Sequence, residues 1–291
     1  MPNPYADEFV DCVLKRNETD RAIGFQGMIL GLILAPLAAI GAVFYLHYEV
    51  DSDLGFDDFV GLEIMLIALY AFFVFRMMDS MNQHRIRDRV WTRALIGYAS
   101  YSGHDVADLE DMVSGRGDDR MGAITRATKV VAVIVAILVV LTAFLIVYFV
   151  VNPVYDAPLI IIPMALGIYF ELGFVGVYTY AMISDHDYVQ HMFVDRFNEI
   201  MEGDLGRMES MGPGLKRMKL WPHIALMVVT LGIYSIIFAF WSTRCVKIHM
   251  NQQWVYEEDL LARIMEREGA VGVEYDDADR NKGIRRYINS F

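Results

Sequence analysis

The sequence predicts an all-α, polytopic membrane protein: four transmembrane helices, a fifth kinked or re-entrant hydrophobic segment, and long helices that continue into a cytoplasmic bundle. Three observations carry this expectation. Hydrophobic residues make up 55% of the chain, above the roughly 45–50% of a soluble domain. Apolar runs of about 20 residues, the length a helix needs to cross a bilayer, recur along it. Lys and Arg gather in alternate loops, as retention on the cytoplasmic side requires.

Residues 1–21 are polar and carry Asp7, Glu8, Asp11, Glu18 and Asp20, unlike the basic head of a secretory signal. They read as a cytoplasmic N-terminal segment before a retained anchor. The expected spans are Ala22–Tyr45, Phe59–Phe75, Val130–Val151 and Ala157–Ile183. The loop 47–58 holds Glu49, Asp51, Asp53, Asp57 and Asp58 without Lys or Arg, and 152–156 is likewise free of basic residues, so both are expected outside. Residues 76–129 contain Arg85, Arg87, Arg89, Arg93, Arg116, Arg120 and Arg126 and are expected inside. The fifth segment, Leu220–Trp241, is interrupted by Pro222 and Thr230-Leu231-Gly232. A hairpin turning near Gly232 keeps the basic tail, with Arg244, Lys247, Arg263 and Arg267, on the inner side.

Three segments share a histidine followed, four residues on, by Asp or Gln: His84 with Asp88, His191 with Asp195, and His249 with Gln253. Glu63 and Tyr70 precede the first pair as Glu171 and Tyr178 precede the second, which suggests a duplicated hairpin with a degenerate third copy. The chain then divides into the N-terminal segment 1–21, repeat 22–100, a linker 101–129, repeat 130–203, degenerate repeat 204–269 and a loosely ordered tail 270–291. No Gly or Pro interrupts residues 63–95, 178–201 or 234–267, so each helix is free to run on as a stalk. In the first stalk Met77, Met81, His84, Asp88, Trp91, Leu95 and Tyr98 step by four and three, the spacing of a packing seam. Val246, His249, Gln253, Tyr256 and Leu260 give a stripe on the third, while Val189, Phe193 and Phe197 lie on a shifted face of the second. Ser102 with Asp105 has capping-box spacing for a short helix ending at Gly115.

The run Thr230-Leu231-Gly232-Ile233-Tyr234, with His249 and Gln253 downstream, resembles a family of uncharacterised prokaryotic membrane proteins that share a Thr-Leu-Gly-Ile-Tyr turn and an Asn-x-His helix. The resemblance covers the last quarter of the chain. Lys247 stands where that family has Asn, a position that Asn82 fits better in the first copy. It implies no activity.

A net charge of -12 and a pI near 5.0 exclude a nucleic-acid partner, which needs a dense basic face. Cys12 and Cys245 have no metal or redox spacing and are expected unpaired. Glu63 and Glu171, with Tyr70 and Tyr178, are candidate intramembrane polar groups, because a carboxylate at membrane depth serves a cavity, partner or pathway. The His and Asp/Gln pairs read first as a buried polar layer that fixes helix register, and second as a metal or proton-relay site. Gly24, Gly27 and Gly31, and Gly167, Gly173 and Gly176, offer small faces for close packing, and Met77, Met78 and Met81 soft filler. No cofactor is expected, and metal is left open. The favoured reading is a non-enzymatic membrane subunit that docks a protein partner or second copy beside the lipid bilayer. A small ion- or proton-coupled transporter using the Glu residues and a metal-binding membrane enzyme are the alternatives.

Overall fold

The computed structural model describes residues 3–20, 81, 83–114, 158–216, 218–230 and 232–269, and their side chains other than those of 158–172, 174 and 175. Among the described residues all regular structure is helical: α1, Pro4–Thr19; α2, 83–101; α3, 107–114; α4, Pro158–Leu205; α5, Trp221–Val229; and α6, Ile233–Glu268.

The polar N-terminal segment is itself a helix. Asn3 caps α1 by accepting a hydrogen bond from the Tyr5 amide at 3.1 Å, and Pro4 fills the first turn, where no donor is needed. Ala6, Phe9, Val10 and Val13 recur at helical spacing and are buried. The α3 N-terminus is capped by Asp105, which accepts from the Ala107 amide at 3.1 Å; the helix therefore starts past Ser102.

α2, α4 and α6 form the bundle. The expected seams on α2 (Met81 to Tyr98) and α6 (Val246 to Leu260) are the buried faces. On α4 the buried seam is Ile183, Asp187, Gln190, Val194, Phe197 and Met201, again in steps of four and three. Each of the three helices contributes first to an apolar cluster around Met81, Tyr180, Ile183 and Val246, and further along to another around Trp91, Phe197 and Leu260. The three are therefore parallel. α1 runs the opposite way, since Asn3 Nδ2 donates to the Tyr98 carbonyl (3.1 Å) while Asp20, at the other end, reaches His84. Between the clusters every helix places its polar residues at one level. Burying Trp91, Phe197 or Leu260 stabilises by about 1.5–3 kcal/mol each, which offsets the polar layer only because its charges are paired.

The expectation of a polytopic membrane fold is corrected here: among the described residues, no helix is long and apolar enough to cross a membrane. The expected spans 22–45, 59–75 and 130–151, with their loops, and the tail 270–291 lie outside the described residues. The fourth falls on the first half of α4, which turns polar beyond it at Asp185, His186 and Asp187. The fifth is divided into α5 and α6 at Gly232, which takes a left-handed φ of 86°. The 9 residues of α5 rise only about 14 Å, under half of a hydrocarbon core. Gly173 and Gly176 lie against Ser235, Phe238 and Ala239, a close approach of α4 and α6 that a side chain would block.

Candidate metal centre

At the polar level, His84 of α2, His186 of α4 and His249 of α6 meet, with ring centroids 5.2–5.6 Å apart. One donor atom from each lies within 4.8 Å of the others. His84 and His249 are fully buried, whereas 17% of the His186 side chain is exposed.

Carboxylates hold two of the rings from behind. His84 Nδ1 donates to Asp20 Oδ1 at 3.0 Å and His249 Nδ1 to Asp187 Oδ1 at 2.7 Å. The second oxygen of each acid is also fixed: Asp20 Oδ2 accepts from Trp254 Nε1 at 2.6 Å and lies 3.1 Å from an Arg87 nitrogen, and Asp187 Oδ2 accepts from the Leu215 amide at 2.7 Å. With each Nδ1 carrying the hydrogen, the Nε2 lone pairs of His84 and His249 face one another across 3.2 Å. Two nitrogens about 2.05 Å from a tetrahedral zinc stand about 3.3 Å apart, so the spacing is that of two ligands on one ion. In the third ring, His186, Nε2 is buried and lies 3.1 Å from Asp88 Oδ2, an ion pair when the ring is protonated.

A second triad lies one helical turn on. Asp88 Oδ1 accepts from both Gln190 Nε2 and Gln253 Nε2, each at 2.7 Å. Each helix thus gives a histidine and, four residues later, Asp or Gln.

Burial pushes the Asp20 and Asp88 carboxyls up, but His84 and Arg87 beside Asp20, and His186, His84 and Arg87 beside Asp88, hold both well below the usual carboxylate range. Burial also raises Asp187, and His249, the Leu215 amide and His191 together more than reverse it. Burial pushes His249 down to about 4, which keeps its Nε2 lone pair available at neutral pH. Glu257 is raised by burial against the pull of Arg87, which it meets at 3.0 Å, and Arg16. The layer holds the carboxylates of Asp20, Asp88, Asp187 and Glu257 against the guanidiniums of Arg16 and Arg87.

Of the residues expected from sequence, His84, Asp88, His249 and Gln253 come together here. His191 and Asp195 do not. Both His191 nitrogens face carbonyls, of Asp187 at 2.8 Å and Gly212 at 3.1 Å, and Asp195 is exposed. His186 and Gln190 take their place, with the same four-residue spacing. Glu63 and Tyr70 lie outside the described residues, as does the Glu171 side chain; Tyr178 is half-buried on α4. Asp20, Arg87, Asp187 and Glu257 carried no sequence signal, because each meets its partner across a long stretch of chain. Cys12 and Cys245 are both free and buried.

Comparison of the chain with known protein families, with curated proteins and with solved structures finds no match, so the site is read from its geometry.

Proposed function

We propose that this protein binds one divalent transition metal, zinc being the best fit, through His84, His186 and His249. The single observation that carries the proposal is the opposed Nε2 pair of His84 and His249 at 3.2 Å, each ring locked by its own aspartate. This is the carboxylate–histidine pairing that orients ligands in zinc sites. Three imidazoles suit zinc, copper, iron or nickel over calcium or magnesium, which take oxygen. Three protein ligands leave a fourth position, as in sites that act on a bound molecule rather than closed structural ones. This reading takes the metal alternative over a docking subunit or a transporter, whose Glu residues supply no described geometry.

A second reading rests on the Asp88–Gln190–Gln253 layer: the polar residues fix the parallel register of the helices, with a proton in place of the ion between His84 and His249. Elemental analysis of the purified full chain separates the two. The metal reading expects one equivalent per chain after exposure to micromolar zinc and gel filtration, and none in His249→Ala. A clean wild-type protein leaves the register reading.

A further inference from the structure

The three-histidine layer is not sealed on all sides. His84 and His249 are closed off, but His186 and Asp88 form the floor of a cleft of about 630 Å³ between α2, α3 and α4. That volume lies in the range of small-molecule sites. One wall is a basic stripe, Arg85, Arg89 and Arg93, spaced by four on α2. Among the described residues, Arg89 and Arg93 have no ion-pair partner, although Glu110 and Asp111 line the facing side. The lining also has an apolar part, with Ile96, Val113 and Phe193.

We infer that this cleft admits a phosphate monoester with a small apolar group, its oxyanion held by Arg89 and Arg93 and directed at the open position of the metal. The inference deepens the metal reading and rests on it. Arginine forks match a phosphate's oxygens, and two of them define an end for the anion to occupy. The apolar part of the lining receives the ester's organic group. Glu110 and Asp111 repel a polyanion, which restricts the site to a small ligand. Asp88 on the floor repels any anion by itself, so the bound dication is what makes the floor attractive. Oxyanion binding therefore depends on the metal, a feature that two surface arginines would not show.

The test is calorimetric titration of the full chain with phenyl phosphate and with inorganic phosphate, after measurement of its zinc content. The zinc-loaded protein should bind phenyl phosphate more tightly than inorganic phosphate, and Arg89→Gln/Arg93→Gln should weaken phenyl phosphate by about tenfold or more with zinc content unchanged. The metal-free protein should lose affinity to a similar extent. Both substitutions are at exposed positions, so folding is not at stake. Zinc uptake with no phenyl phosphate binding, or with the same affinity in the double variant, overturns the inference and leaves the metal reading intact. Equal affinity for the two phosphates overturns the ester, and a protein that takes up no zinc overturns the metal reading and this inference with it.

Discussion

His84 Nε2 and His249 Nε2 stand 3.2 Å apart in the buried centre of three parallel helices, and Asp20 and Asp187 hold the two rings from opposite sides. An imidazole whose Nδ1 is committed to a carboxylate has one lone pair left to offer, and here two such lone pairs point at each other. The arrangement calls for a positive species between them.

On the proposed metal reading, the aspartates orient ligands and do not bind metal themselves. Asp20→Asn and Asp187→Asn should each weaken zinc by about 10–100-fold while one equivalent still binds at saturation. Competition with a chelator of known affinity measures this. Unchanged affinity in both would mean that the rings are fixed by packing alone.

Arg87 neutralises Asp20 and Glu257 together, at 3.1 and 3.0 Å. Arg87→Met removes the shared cation and leaves Asp20 to His84 and Trp254 and Glu257 to the more distant Arg16, and should cost about 3 kcal/mol in denaturant unfolding. Arg87→Met/Glu257→Leu should recover part of that loss, because one under-neutralised buried charge is gone.

The glycines of α4 separate packing from propensity. A methyl group at Gly173 runs into Ser235 and Met227, so Gly173→Ala should destabilise by about 1–3 kcal/mol. Gly203 faces open space in the same helix, and Gly203→Ala should stabilise by about 0.5–1 kcal/mol. Thermal unfolding of the two variants gives shifts of opposite sign.

Burial pushes the thiols of Cys12 and Cys245 from 9.0 up to about 11. At about pH 8 neither should react with a maleimide in the native protein, and both should in denaturant, since the thiolate is the reactive form. The linkage has a definite sign. The folded state holds these protons more tightly than the unfolded state, so the contribution to stability is complete below pH 9 and is lost as pH rises through 11. Replacing both cysteines with alanine should flatten the alkaline fall in unfolding midpoint.

The sequence made the packing seams visible wherever hydrophobic and polar residues kept the four-three step. Met81 to Tyr98 and Val246 to Leu260 were found that way, and the histidines with them. The second copy was misaligned because Gln190-His191 repeats the dipeptide Gln83-His84, whereas the helix obeys spacing: His186 and Gln190 stand four apart, as His84 and Asp88 do. The seam from Ile183 to Met201 was the missed signal. Asp20 was out of reach of local reading, since its partners His84 and Trp254 are 64 and 234 residues away. Hydropathy carried the membrane expectation, whereas the break was legible in the residues: Thr230-Leu231-Gly232 interrupts the fifth segment, and Gly232 divides α5 from α6.

Register is therefore the point on which the account stands, and cobalt titration of the full chain tests it most directly. The intense visible bands of a four-coordinate centre should saturate at one equivalent in the wild-type protein and in His191→Ala, and should be lost in His186→Ala. Bands that persist without His186, that vanish without His191, or that never saturate at one equivalent would contradict the three-histidine centre.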